Sequence, residues 1–244
     1  MPVSSSETEL LETVWYTPLM PVEVWSYRLL LRGKSVGSQV FKTLERGSVI
    51  SIESKLVMQS GSGQQTVTQK SLASRDMGYS LSFQEELIGP GERRQFRLEF
   101  DQESGLVRVS RGNGDSAEAP YTRPYRDPLG LLHQVRNLGH KETSVRVPML
   151  GKDVVIEPSG VSELDTVAGP RQARVYALYP GGSYVYVDAL PPHTILKLTQ
   201  RLDLALLDAV LIKIDEEDAL HIEPPKPSKR KRRKRRRKRK RPQA

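Results

Sequence analysis

Apolar and polar side chains alternate along much of the first half of this chain. Tyr79-Ser80-Leu81-Ser82-Phe83 and Phe96-Arg97-Leu98-Glu99-Phe100 do so strictly, and Leu106-Val107-Arg108-Val109 does so from Val107 on. A period of two gives a strand one buried and one wet face. Segments 22–32, 36–44, 49–56 and 66–73 also carry strand signals. The breaks hold turn residues: Gly33-Lys34, Arg46-Gly47, Gly61-Ser62-Gly63, Gly89-Pro90-Gly91 and Gly112-Asn113-Gly114. This predicts an antiparallel meander of about seven strands.

One helix interrupts the strands. Asp127 suits the cap, Pro128 the first helical position and Gly139 the stop. Leu129, Leu131, Leu132, Val135 and Leu138 make a broad apolar face, which predicts packing on the concave side of the sheet. Strands resume at 145–150, 154–157, 173–179, 183–188 and 195–200. Segment 202–214 reads as a strand with Leu204, Leu206, Val210, Ile212 and Ile214 on one face, a composition that a buried helix would also tolerate. Ahead of the meander, Ser6 and Glu9 fit a capping box for a short helical turn that Pro18 and Pro21 end. Trp15 and Trp25 are expected to plug one end of the sheet.

Val36-Gly37 in the second strand, Tyr125-Arg126-Asp127-Pro128-Leu129 opening the helix, and Tyr184-Val185-Tyr186-Val187-Asp188 followed by Ile195-Leu196-Lys197-Leu198 carry a family resemblance. From 22 to 214 the chain resembles the bacterial DUF3108 family, whose fold is similar to the LolA/LolB-type half-barrel. The resemblance implies a mainly β fold: a curved antiparallel sheet, a half-barrel, wrapping one central helix. It implies no catalytic residues. Members are usually exported, whereas the segment Met1-Pro2-Val3-Ser4-Ser5-Ser6-Glu7 lacks the basic and apolar regions of a signal peptide. The longest apolar candidate, 202–214, is broken by Asp203, Asp208 and Lys213, so a soluble, cytoplasmic protein is expected. The organisation expected is an N-terminal extension at 1–21, a β-rich domain at 22–223 and a tail at 224–244.

Charge separates the tail from the rest. Lys226, Lys229, Arg230, Lys231, Arg232, Arg233, Lys234, Arg235, Arg236, Arg237, Lys238, Arg239, Lys240 and Arg241 are 14 of the 38 basic residues; the 24 others face 29 acidic ones, a net of −5. Thirteen consecutive cations repel one another, so the tail is expected to be disordered when free. Fully stretched, its 16 residues from 226 to 241 reach about 50–58 Å. Its partner is expected to be nucleic acid, DNA or RNA, bound through counterion release and without sequence reading. An acidic membrane or acidic protein is the alternative for the tail. The tail holds no aromatic residue, so it cannot stack on bases. Asp215-Glu216-Glu217-Asp218, with Glu223, reads as an exposed charged loop, and only secondarily as a competitor for the tail.

The remaining motifs read as structure. The chain has no Cys, which removes disulfides, thiolate metal sites and Cys nucleophiles. His133, His140, His193 and His221 lack the spacing of a metal pair, and neither a metal nor a cofactor is expected. The Gly-rich turns lack the Lys-Ser/Thr of a phosphate loop, and Asp127 beside Arg126 reads as a cap instead of an acid. Tyr184 and Tyr186 share a strand face, with Val185 and Val187 opposite, and read as amphipathic core edges, with a binding platform as the second reading. A non-enzymatic binding protein, tethered to nucleic acid by the tail, is therefore expected. The second reading is a carrier or chaperone holding a small apolar or lipid-like ligand beside Leu131, Leu132, Val135 and Leu138 on the concave face.

Overall fold

The computed structural model describes residues 22–76, 78–121, 124–138, 143–202 and 205–217. Its strands are β1 (Val22–Leu31), β2 (Lys34–Arg46), β3 (Val49–Ser60), β4 (Gly63–Ser74), β5 (Ser80–Gly89), β6 (Glu92–Asp101), β7 (Leu106–Arg111) and β8 (Ser116–Pro120). After helix α1 (Pro128–Arg136) come β9 (Val145–Met149), β10 (Lys152–Thr166), β11 (Gly169–Tyr179), β12 (Ser183–Asp188), β13 (Ile195–Leu202) and β14 (Ala205–Glu217). All 14 form one antiparallel sheet in the order β8-β7-β6-β5-β4-β3-β2-β1-β14-β13-β12-β11-β10-β9. From β1 in mid-sheet the chain meanders out to β8, crosses through α1 to the opposite edge, and meanders back to β14 beside β1. The sheet is curved and does not close into a barrel, and α1 lies in its concavity, against β3, β4 and β12.

Register shifts in β1, at Ser26/Tyr27 and Leu29/Leu30, help to bend the centre of the sheet. Both open edges are protected against further pairing. β8 and β9 are five residues each, and each carries a proline and a charged residue: Pro120 and Glu118, Pro148 and Arg146. The inner face is the core. Trp25, Tyr27 and Leu29 on β1, Ile52 on β3, Phe83 on β5 and Leu98 on β6 pack together with Leu129, Leu131 and Val135 of α1. Burying such a side chain is worth about 1.5–3 kcal/mol. Tyr27 also donates to the Ile195 carbonyl at 2.8 Å, and its ring meets Phe41 edge-on at 5.5 Å.

Gly37 lies at a close approach of β2 to β3. A Cβ there would lie 2.0 Å from the Val57 carbonyl oxygen, which is backbone and cannot rotate away. Gly37→Ala is expected to destabilise the fold at the upper end of the about 1–3 kcal/mol that overpacking costs, read as a lower midpoint in urea unfolding.

Four sequence expectations are corrected. β8 was missed, because Ser-Ala-Glu-Ala-Pro lies wholly exposed and has no large apolar residue to alternate. β10 runs on to Thr166 past a shift at Pro158/Val161, pairing with β11 through a largely exposed stretch in which Leu164 is the one side chain packed against the core. Segment 202–214 is strand, but the opposite face is buried: Leu207, Ala209 and Leu211 enter the core, while Leu206 and Ile214 are 52% and 53% exposed. Residues 215–217 are not a loop; they extend β14 beside Val22, Glu23 and Val24. The helix ends at Arg136, with the Asn137 amide bonded back to the Gln134 and His133 carbonyls; Gly139 lies outside the described residues. The extension 1–21, with the expected turn at Ser6 and Trp15, and the tail 224–244 also lie outside them.

Candidate functional site

The helix enters the concavity through a buried carboxylate. Asp127 caps α1: its Oδ1 accepts from the Leu129 and Gly130 amides at 2.9 and 3.0 Å. Its Oδ2 accepts from the hydroxyls of Ser71 on β4, at 2.6 Å, and Ser80 on β5. The Asp127 amide donates to Ser80 Oγ at 2.8 Å. Every oxygen of this carboxylate is thus bonded within the protein, which makes Asp127 a structural anchor, as its place before Pro128 predicts. Beside it, the Arg126 amide donates to the Pro148 carbonyl at 2.9 Å, tying the helix entry to edge strand β9. The half-buried Arg126 guanidinium has its ordinary pKa lowered by desolvation.

At the other end of α1, Arg136 is enclosed. Its Nη1 donates to Glu23 Oε2 at 2.7 Å and its Nε to the Pro192 carbonyl at 3.2 Å, while its guanidinium lies 4.5 Å from the Trp25 ring centre. The Arg136 side chain is 9% exposed and that of Glu23 34%, so the pair is half screened, and the packing on Trp25 adds a cation–π contact. Sequence reading missed this group, although Leu129, Leu132 and Arg136 share one helical face, where a cation needs a carboxylate.

A cleft between α1 and the sheet is lined by Trp25, Phe41, Thr43, Leu132, His133 and Arg136, among others. Its room, about 20 Å³, holds roughly one water, where ligand sites run to about 300–1,000 Å³. Leu131, Val135 and Leu138 are core, and Leu132 is half-buried at this cleft. An apolar ligand would reach Leu131, Val135 and Leu138 only by displacing the helix.

Burial lowers the pKa of His133 below the usual imidazole range, Arg136 lowers it further, and Glu45 and Glu23 pull the other way. The unfolded chain therefore takes up the proton first. The stability this contributes is complete above about pH 6.5 and is lost as the pH falls below it. His133→Gln is expected to flatten the decline in urea midpoint between pH 7.5 and 5.5; an unchanged decline would remove His133 as its cause.

Above the helix the inner face stays partly open. Leu56, Val67, Leu87 and Phe96 are half-buried there, and Gln69 on β4 donates to Glu85 on β5 at 2.7 Å. The outer face of β3–β8 interleaves opposite charges: Lys70 with Glu53 at 2.8 Å, Arg93 with Glu86 at 2.6 Å, Arg97 with Glu99 at 2.6 Å and Arg108 with Glu118 at 2.5 Å. Each exposed pair is worth little, but together they leave the cations beside carboxylates. Tyr184 and Tyr186 are half-buried on the outer face, Lys197 sits 5.4 Å from the Tyr186 ring, and Val185 and Val187 are core. Gly61-Ser62 and Gly112-Asn113-Gly114 are the β3–β4 and β7–β8 turns. His193 lies in the β12–β13 turn with φ 57°, near the Asp188 carbonyl; His140 and His221 lie outside the described residues. No cluster of metal-ligating side chains occurs among the described residues. The 14 tail cations lie outside them as well, as do Asp218 and Glu223.

The class this architecture defines is an open, barrel-like antiparallel sheet around one helix. The fold is shared with a beta-barrel-like protein of a domain of unknown function, DUF1849, from Brucella abortus: TM-score 0.53 at 10% identity, over 82% of this chain and 99% of that one. No family model matches the chain, and no curated protein matches it. No helix among the described residues is long and apolar enough to cross a membrane.

Proposed function

We propose that this is a non-enzymatic, cytoplasmic binding protein, tethered to nucleic acid without sequence preference by its polybasic C-terminal segment. The observation that carries the reading is the segregation of charge: 14 cations between 226 and 241 against a net of −5 elsewhere. The interleaved ion pairs of the outer sheet support it, since they leave the tail as the chain's concentrated source of positive potential. Contacts from such a segment fix position and read no bases. The test is fluorescence anisotropy of a duplex and a matched single-stranded RNA against salt. Engagement of most of the cations gives a log–log slope of about −10 on the duplex and a shallower one on the single strand. A flat response, or no binding near physiological salt, would overturn the reading.

The half-buried Leu56, Val67, Leu87 and Phe96 on the inner face favour a second reading, a carrier of an apolar or lipid-like ligand whose tail docks on an acidic membrane or protein. Kinship with the DUF3108 family belongs with it, supported by Gly37 at a close strand approach and Asp127 as the helix anchor. Saturable uptake of a fluorescent fatty acid by the full chain would favour this reading, and its absence would exclude it.

A further inference from the structure

We infer that Arg94, Phe96 and Arg111 form a second nucleic-acid contact on the folded domain, a stacking site for one base of a single strand. This rests on the proposal that the chain binds nucleic acid. Antiparallel register places Glu85, Phe96 and Arg111 side by side across β5, β6 and β7, and Arg94 next to Leu87 one step along the same face. Arg94, Phe96 and Leu98 alternate on β6, and Leu98 is core, so all three belong to the inner face. Phe96 packs against the core on one side and lines an open cleft of about 680 Å³ on the other, together with Glu85, Arg94 and Arg111, while Arg93 reaches the cleft rim from the outer face.

The chemistry fits a nucleotide unit. An aromatic ring anchored from below offers a flat surface on which any base can stack. Exposed guanidiniums flank it, and they suit phosphate oxygens because their donors are planar and forked. Arg111 has no ion pair among the described residues; Arg94 pairs with Glu92 and Arg93 with Glu86. Glu85, the carboxylate in the cleft lining, is held by Gln69. The cleft is broad and open, a shape for a planar base between charges and not for an enclosed acyl chain. The tail lacks an aromatic residue, so this platform supplies the base contact that the tail cannot make.

The test uses the full chain with the trinucleotide (dA)3 and a base-free trimer of the same backbone, in equilibrium dialysis at 0.3 M NaCl. That salt shortens the screening length to about 6 Å and mutes the tail. The expected result is tighter binding of (dA)3 than of the base-free trimer. Phe96→Leu should lose about 5- to 150-fold on (dA)3 and erase that preference, whereas Arg94→Gln and Arg111→Gln should weaken both trimers alike. Should Phe96→Leu fail to fold, the two exposed arginine variants decide the matter. Equal binding of (dA)3 by variants and unchanged chain, or no base preference in the unchanged chain, would overturn the site. Steep, salt-dependent duplex binding alongside that result would leave the tail proposal standing.

Discussion

Replacing the 13 consecutive cations at 229–241 with alternating Ser and Gly is expected to abolish the salt-dependent binding of duplex DNA. The magnitude follows from counterion release. A protein engaging about 6–10 phosphates loses roughly 10³–10⁵ in affinity between 50 and 200 mM salt, and the log–log slope changes by about 0.9 for each contact removed. The variant keeps Lys226 and the rest of the chain, whose net charge without the 14 tail cations is −5. What remains is thus close to repulsive towards phosphate, and at 50 mM salt the expected loss is at least about a thousandfold. The acidic stretch does not change this. Asp215 pairs with Lys213 at 2.9 Å, and five carboxylates at 215–218 and 223 cannot neutralise 14 cations. A variant with about half the cations replaced should show about half the slope. Anisotropy titrations at three salt concentrations measure all of this, and an unchanged slope after full replacement would end the tethering idea.

The fold was legible wherever a strand had one dry and one wet face. β6 and β7 alternate because Leu98 and Val107 enter the core while Arg97 and Arg108 beside them meet water, whereas in β5 a register shift beside Leu81 buries Ser80 along with Phe83 and breaks the expected alternation. β8 was hidden because an edge strand kept short and polar sends no such signal. In β14 apolar side chains occupy both faces, so periodicity could not choose between Leu206 and Leu207, and the shift at Ser26/Tyr27 that sets its register is invisible in composition. The helix was readable from Asp127, Pro128 and its leucines, and Asp127 and Gly37 both prove to sit at points of tight structural constraint. The sites were less legible. Glu23, Trp25 and Arg136 come together across more than 100 residues of sequence. Arg94, Phe96 and Arg111 become neighbours only once the β6–β7 hairpin fixes its register. The tail needs no register, because its argument is charge density alone.

Asp127→Ala is expected to be among the most damaging single substitutions in the domain. The residue is 2% exposed. Its loss strands the Leu129 and Gly130 amides and the Ser71 and Ser80 hydroxyls in the buried interior. Losing a helix cap costs about 0.5–2 kcal/mol, and each buried polar group left unpaired costs about 1–3 kcal/mol. Part of this is recovered if water enters the gap, which leaves an expected loss of about 3–5 kcal/mol. Asp127→Asn should cost less, since its amide oxygen still serves the two backbone donors and the serine hydroxyls can turn to accept from its nitrogen. Ser80→Ala should fall between the two, because it also unpairs the Asp127 amide. The consequence reaches beyond α1. Asp127 joins the helix to β4 and β5 on one arm of the sheet, while Arg126 joins the same turn to β9 on the other. Loss of the cap therefore loosens the link across the open side of the half-barrel and exposes the leucines that α1 buries. Urea unfolding of the three variants, with an apolar dye to report the exposed inner face, gives the order. A loss below about 1 kcal/mol for Asp127→Ala, the level of an ordinary exposed cap, would show that the carboxylate is not what holds the helix in place.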